Sequence, residues 1–274
     1  MPFKKAYLEP SIINRAYGCG LSGLKLKEVL AKHLLTPAIG LNAIYEMART
    51  FLNKDGVQIG VALFKILWEL DPSYQLSPEM LYDQEIIKLR IGAAVLPFLD
   101  ELNLAATKQE VWRIASGNFD EKASNSITSR EAEIRENHPK FALNYIKEVN
   151  ETLKSNPSER LPTFEKVYSD LGDQLPGLIY KLLEDKLSIY EAHEIYHRID
   201  SFPAIRTTLR SNVYLNAICI IHQHVPGKDK IDDYRHIIEA SYCDIFVTDD
   251  AQLSRTIPRI NPDLQVLSGN QFFQ

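Results

Sequence analysis

Cysteine is scarce in this chain of 274 residues, which contains only Cys19, Cys219 and Cys243. The three cysteines form no CxxC pair and no spacing typical of a zinc site. Because they are few, odd in number and far apart, they argue against a secreted protein held together by disulfide bonds. The pattern favours a reducing compartment, and we therefore expect a cytoplasmic protein.

Long apolar runs and an excess of positive charge are also missing. No run reaches the roughly 20 residues that cross a bilayer. The basic residues 1–5 are followed at once by Glu9 and Pro10, without the apolar segment of a signal peptide. The formal net charge of -5 argues against a generally basic nucleic-acid coat and leaves room only for a local basic patch.

One glycine-rich segment has the letters of a dinucleotide-binding motif. Residues 18–23 read G-C-G-L-S-G and match GxGxxG, but such a motif must follow a strand directly and open a helix. Here a helix-like stretch at 11–17 intervenes, and no acidic residue ends the next strand. We therefore predict a loop between two helices. A nucleotide-binding enzyme stays a candidate function, ranked third after the two that are described below.

Short β-prone runs separated by helical patterns predict an α/β fold with a parallel sheet. The first run ends at Glu9, where Pro10 stops further pairing. The third is the apolar run 245–247, which is typical of a buried strand. The other two runs lie at 37–41 and 264–267.

The middle of the chain has a different pattern. From residue 56 to about residue 200 strand signals nearly vanish, and helix starts such as Ser77-Pro78 take their place. We predict that residues 1–55 and 201–274 form a discontinuous α/β sandwich. Residues 56–200 are expected to form a large, all-helical insertion between its second and third strands.

Acidic residues recur where the predicted strands end or the adjoining helices begin. Glu9 ends the first strand, Glu46 lies early in the helix after the second, and Asp233 opens the helix before the third. Asp249 and Asp250 end that third strand. Because ligands bind outside the carboxyl ends of parallel strands, we expect these acids to converge. Hard oxygen ligands suit Mg²⁺ or Mn²⁺, and such ions can activate water against a phosphodiester.

Each acid also has a structural explanation. Asp232 and Asp249 are good helix N-caps, and Glu46 is a favourable charge near a helix N-terminus. Taken together, however, the acids favour a metal site, because a cluster of carboxylates without a cation repels itself.

The pattern resembles the PIN-domain family, metal-dependent nucleases related to flap endonucleases and to the toxins of many bacterial toxin–antitoxin pairs. The resemblance covers roughly residues 5–55 and 202–267. It implies a PIN-like fold in which Glu9, Glu46, Asp233 and Asp250 are catalytic metal ligands, with Asp249 as their neighbour. The matching stretches are Tyr7-Leu8-Glu9-Pro10-Ser11, Ile44-Tyr45-Glu46-Met47, Asp233-Tyr-Arg-His236 and Thr248-Asp249-Asp250.

By this resemblance the activity is phosphodiester hydrolysis, by an endoribonuclease that uses Mg²⁺ or Mn²⁺. RNA is the expected substrate and single-stranded DNA the alternative. An inhibitor or antitoxin protein is a candidate partner, and a homo-oligomer a candidate assembly. The expected supporting residues are Ser11, Thr248 and His236, the last of which could also be purely structural. Candidate phosphate contacts are Arg15, Arg49, Arg206 and Arg210, each of which could instead be a solvated surface charge.

Two features depart from the family pattern. Glu9 stands where the family usually has Asp, and the extra methylene moves the carboxylate by about 1 Å, enough to retune or disable a catalytic site. The helical insertion is absent from the compact toxins of the family. An alternative function follows, in which the chain is a catalytically decayed PIN-like protein that binds RNA or protein through the insertion.

Overall fold

The structure is a computed structural model that describes residues 3–53, 55–120, 124–125, 127–129, 131–132, 163–183, 186–222 and 228–274. Five parallel strands form one sheet in the order β3-β2-β1-β4-β5, which confirms the predicted α/β class. The strands are β1 Lys4–Leu8, β2 Leu35–Gly40, β3 Ser73–Gln75, β4 Ile245–Thr248 and β5 Gln265–Ser268.

Helices account for most of the remaining described residues. Single 3₁₀ turns lie at Thr50–Leu52, Gly172–Gln174, Ile199–Ser201 and Ala240–Tyr242. In none of the described segments is a helix both long and apolar enough to cross a membrane. The helices are α1 Pro10–Gly18, α2 Gly23–Lys32, α3 Leu41–Arg49, α4 Gly56–Leu70, α5 Pro78–Ile91, α6 Glu101–Ala115, α7 Phe164–Leu171, α8 Leu175–Leu182, α9 Ile189–His197, α10 Pro203–His222, α11 Lys228–Glu239, α12 Ala251–Ile260 and α13 Gly269–Phe272.

The central strands are buried on both faces. In β1, Tyr7 and Leu8 point to opposite faces, and in β4, Phe246 and Val247 do the same. Tyr7 and Phe246 belong to an apolar cluster that includes residues of α5, α10 and α11. Leu8 and Val247 belong to a second cluster with residues of α1, α2, α3 and α4. Helices therefore cover both faces of the sheet, as an apolar parallel strand requires.

The order of the strands creates a switch point beside β1. From β1 the chain moves outward to β2 and β3, and it later returns to β4 on the other side of β1. Leu8 of β1 lies opposite Val247 of β4. The carboxyl ends of these two strands are therefore adjacent at the place where open parallel sheets bind their ligands.

The prediction that residues 56–200 are all-helical is wrong at β3. This strand pairs with β2, with Ile39 opposite Tyr74 and Gly40 opposite Gln75, so the sheet has five strands rather than four. A strand of three residues is too short to show an alternating pattern in the sequence. The preceding α4 packs against α1 and α2, so this range contributes to the α/β core. The boundaries of a separate insertion stay a prediction.

The predicted loop at the glycine-rich segment is confirmed. Helix α1 ends at Gly18 and α2 begins at Gly23, so the segment joins two helices and does not follow a strand. Gly20 adopts φ +67, a left-handed conformation that glycine accepts at little cost. The arrangement that a dinucleotide-binding motif needs is therefore absent from this described segment.

A buried carboxylate fixes the start of α10. Glu85 of α5 accepts the backbone N–H groups of Ala204 at 2.8 Å and Ile205 at 2.9 Å, and the hydroxyl of Tyr242 at 2.6 Å. Burial raises the pKa of Glu85, although these hydrogen bonds oppose the shift. Since the first N–H groups of a helix have no partner within the helix, Glu85 satisfies two of them from a neighbouring element.

We expect Glu85→Gln to lower the free energy of unfolding by about 1–3 kcal/mol, because the amide NH₂ cannot accept the bonds that the carboxylate accepts. Denaturant unfolding followed by circular dichroism would measure the loss. The matched control is Glu28→Gln on the exposed face of α2, which should change stability by less than about 0.5 kcal/mol. Equal losses in the two variants would contradict this role of Glu85.

Candidate functional site

The ends of β1 and β4 are joined by hydrogen bonds around Glu9. The backbone N–H of Glu9 donates to the carbonyl of Val247 at 3.1 Å. The hydroxyl of Thr248 donates to Glu9 Oε2 at 3.1 Å, and the Ser11 hydroxyl donates to the same oxygen. Ser11 in turn accepts the N–H of Asp249 at 3.2 Å. Ser11 therefore lies near Glu9, as expected, and Thr248 contacts the same carboxylate, while their supporting roles stay a prediction.

The two aspartates after β4 have different partners. Asp250 is the N-cap of α12, and its Oδ1 accepts the N–H groups of Gln252 at 2.6 Å and Leu253 at 2.8 Å. Asp249, which the sequence offered as a cap, is instead paired with Arg15 at 2.7 Å. One carboxylate oxygen of Asp250 is thus used by the helix, and Asp249 is directed to the rim of the site.

Asp233 lies inside α11 rather than at its start. The helix runs from Lys228, so the prediction that Asp233 opens it is wrong. In the sequence, the residue types Pro226 and Gly227 favour a loop, and for that reason the extra turn was not predicted. Lys230 Nζ lies 2.8 Å from Asp233 Oδ2. Burial raises the pKa of Asp233, Lys230 opposes the shift, and the charge of Asp250 adds to it. Asp233 and Asp250 are therefore electrostatic neighbours.

Glu46 of α3 faces the imidazole of His236. Its Oε1 lies 3.1 Å from His236 Nε2, an ion-pair distance at which the N–H is not aligned for a hydrogen bond. His236 is one turn after Asp233 on α11 and is buried. The fourth acid is thus present at this edge, held beside a histidine that the sequence had proposed as a supporting residue.

Two residues that the sequence did not single out lie beneath His236. The Tyr7 oxygen is 2.7 Å from His236 Nδ1, and its hydroxyl donates to Glu239 Oε2 at 2.7 Å. Glu239 Oε1 accepts the N–H of Asn42 at 2.9 Å. Gly40 packs so closely that a Cβ there would lie 1.8 Å from Glu239 Oε2. The one local signal is that Glu239 lies three residues after His236, on the same face of α11.

The histidine supplies positive charge under the carboxylates. Burial alone would lower the pKa of His236, but Glu239 and Glu46 outweigh it and raise the pKa to about 10. Burial raises the pKa of Glu9, which its bond from Ser11 and the charge of His236 partly offset. At neutral pH the site is therefore a group of acids with an imidazolium cation beneath it.

The donor types of this site fit a hard divalent cation, since carboxylate oxygens are the ligands that Mg²⁺ and Mn²⁺ prefer. Across the part of the chain that the structure describes, no three His, Cys, Asp or Glu side chains are arranged to hold a metal ion. A cation would compete with Lys230 for Asp233, with protein hydroxyls for Glu9, and with the start of α12 for Asp250. The ligand chemistry fits, while the carboxylates are occupied by protein partners.

Two of the four candidate arginines lie at this edge. Arg15 pairs with Asp249 and stacks its guanidinium 4.9 Å from the Phe273 ring centre. Arg49 lies 3.0 Å from Glu131 Oε1 and lines a pocket of about 460 Å³ that Glu46 also lines. Both arginines are half-buried and close to the acids, so a contact with substrate phosphate stays a prediction for them.

The other two arginines lie toward the amino ends of the strands, away from the acids. Arg206 pairs with Asp263, just before β5, and Arg210 donates to the carbonyl of Ile260 at 2.9 Å. Ile260 ends α12, whose ten residues place it about 15 Å from the start of that helix. Arg206 and Arg210 therefore lie away from the acidic site, and a contact of either with substrate phosphate stays a prediction. Their spacing of one turn showed that the two side chains share one side of a helix. It could not show which end of the sheet that side would approach.

Comparisons with protein-family models, with curated proteins and with solved structures found no match to this chain. The comparisons therefore assign neither a family nor an activity to the chain. The residues at the carboxyl ends of β1 and β4 are therefore the basis for any proposed function.

The raised pKa of His236 predicts a pH-dependent stability. Because the folded protein keeps a proton that the unfolded chain releases near pH 6.5, this contribution is complete below pH 6.5 and lost as pH rises through about 10. Each pKa unit of this shift corresponds to about 1.4 kcal/mol, so the protonated His236 contributes at most about 5 kcal/mol to the free energy of unfolding.

Unfolding free energies measured from pH 6 to pH 10 should therefore fall in the wild type, with a much flatter profile in His236→Gln. The control is His193→Gln on the exposed side of α9, which should keep the wild-type slope. Parallel profiles for wild type and His236→Gln would show that His236 does not carry this proton.

Proposed function

We propose that this chain is a metal-dependent phosphodiester hydrolase, an endoribonuclease of PIN type, acting at the carboxyl ends of β1 and β4. The supporting observation is that Glu9, Glu46, Asp233 and Asp250, from four separate elements, are each within electrostatic reach of His236 or of one another beside the switch point of a parallel sheet. Such a position is the usual place of a ligand in this architecture.

The protein residues would hold and orient the reacting groups. Glu9, fixed by Ser11 and Thr248, and Asp250, fixed by α12, would supply ligand oxygens from the two central strands. Asp233 would add a third oxygen from α11. A Mg²⁺ or Mn²⁺ ion bound there would polarise a water molecule and offset the charge that develops on the phosphodiester.

Positive charge at the rim supports a polyanionic substrate. Arg15 and Arg49 are the arginines placed beside the acids, and both are engaged by carboxylates that a phosphate could replace. RNA as the polymer follows from the resemblance to PIN-type nucleases, with single-stranded DNA as the alternative. An inhibitor protein and a homo-oligomer stay predictions from the same resemblance.

We expect the purified protein to cleave labelled single-stranded RNA in Mn²⁺ or Mg²⁺ and to lose this activity in EDTA. Asp250→Asn should reduce the rate at least about 100-fold through loss of a ligand charge, while asparagine still caps α12. A panel with structured RNA and single-stranded DNA would identify the polymer.

The matched control for this assay is Asp263→Asn, the same change of acid to amide at the amino end of β5, away from the acids. It should leave the rate within about threefold of the wild type. Cleavage that persists in EDTA, or that Asp250→Asn and Asp263→Asn affect equally, would exclude the proposed metal site.

A specific observation favours a second candidate function. Within the described ranges no three acids are arranged around one ion, and Glu9 stands where PIN-type nucleases usually have Asp. A catalytically decayed protein would bind RNA, or a protein partner, without cutting. RNA that is shifted in a native gel but remains intact in Mn²⁺ would support this alternative against the hydrolase.

A further inference from the structure

We propose that His236 is a positioning residue that holds Glu46 at the acidic site. It does so through a buried chain of contacts that begins at Glu239, passes through Tyr7 and ends at the His236 imidazole. The chain joins the interior of the sheet to an acid that lines the adjacent pocket. The geometric part of the inference stands alone, and its consequence for catalysis rests on the proposed hydrolase.

The lower end of the chain is fixed in place. Glu239 is fully buried, and its two oxygens accept the N–H of Asn42 at 2.9 Å and the hydroxyl of Tyr7 at 2.7 Å. Gly40 leaves no space on the remaining side, since a Cβ there would clash with the carboxylate. Glu239 therefore has a single position, set by the start of α3 and the end of β2.

The middle of the chain sets the orientation of the imidazole. Tyr7 gives its one hydroxyl proton to Glu239, so its oxygen can only accept from His236 Nδ1 at 2.7 Å. The Tyr7 ring is itself held by stacking on Phe246, with ring centres 5.1 Å apart. Because one ring nitrogen is bound to a fixed hydroxyl, the other nitrogen points in a fixed direction.

Beyond the upper end of the chain, next to the imidazole, lies Glu46. Among the residues that the structure describes, His236 is the one cationic side chain at ion-pair distance from Glu46, with Nε2 3.1 Å from Oε1. A glutamate has three rotatable side-chain bonds, and fixing them in advance removes an entropic cost from ligand binding. The imidazole therefore pre-organises an acid that would otherwise sample many positions.

Stability alone does not explain such a chain. Apolar residues of similar volume in place of a buried ion pair are often neutral or stabilising. Here two buried charges and a buried hydroxyl lie between apolar residues of α11 and the sheet. At its upper end the arrangement contacts Glu46, and a fixed carboxylate at that position serves the proposed site.

The first test is a double-mutant cycle of Tyr7→Phe with Glu46→Gln, read as RNA cleavage. Tyr7→Phe removes only a buried hydroxyl, and we expect it to lower kcat about tenfold with KM unchanged. In the Glu46→Gln background it should cause no further loss, because Tyr7 acts through Glu46. The matched control is Tyr82→Phe, which removes a buried hydroxyl bonded to Thr208 and should leave kcat unchanged. Additive losses, or an unchanged kcat in Tyr7→Phe, would overturn the inference.

The second test needs no activity. In ¹H–¹⁵N NMR spectra tuned to imidazole groups, the protected His236 N–H signals are identified by their loss in His236→Gln. Glu46→Gln, a change at a partly exposed side chain that leaves the buried chain intact, should shift the Nε2–H signal. Tyr7→Phe should shift the Nδ1–H signal.

The two tests separate the inference from the proposed function. Shifted signals in a protein that cleaves nothing would leave the positioning chain standing and refute the hydrolase. If the protein cleaves RNA but neither substitution shifts the His236 N–H signals, the positioning chain is refuted and the proposed hydrolase is retained.

Discussion

Parallel pairing of β1 with β4 is the contact on which the candidate site depends. It brings together residues that are 239 positions apart in the chain, such as Glu9 and Thr248. Once the register places Leu8 opposite Val247, the acids that follow both strands must lie side by side. Helix α11, which leads into β4, then delivers Asp233 to the same edge, and α3, which follows β2, delivers its own acid from the other side.

Two opposing effects set the charge of the site, the burial of its carboxylates and the protein cations beside them. Burial makes the charged forms of Glu9 and Asp233 costly and raises the pKa of both groups. The protein offsets this cost with its own cations, Lys230 at the surface and His236 beneath. A bound divalent ion would take over part of that role at the surface, where Lys230 can be displaced, while the imidazolium below stays in place. The fixed part of the site is therefore the lower one, and the exchangeable part faces solvent.

Much of the architecture could be predicted from local sequence, because apolar runs and caps carry the signal. The buried run in β4 and the acids Glu9 and Asp250 after the two central strands were predicted in this way. The edge strand β3 was not predicted, because three residues cannot show an alternating pattern. The roles of Tyr7 and Glu239 were not predicted for a different reason. Their roles arise from contacts between residues about 200 or more positions apart, and no local pattern records which buried polar groups will meet.

The most direct test of the account is a crystal structure of the protein soaked in Mn²⁺, with the ion located by its anomalous scattering. We expect a peak at the carboxyl ends of β1 and β4, bounded by oxygens of Glu9, Asp233 and Asp250, with Lys230 displaced from Asp233. Well-ordered carboxylates that keep their protein partners, with no peak between them at millimolar Mn²⁺, would contradict a metal site at the switch point and favour a binding protein without hydrolytic activity.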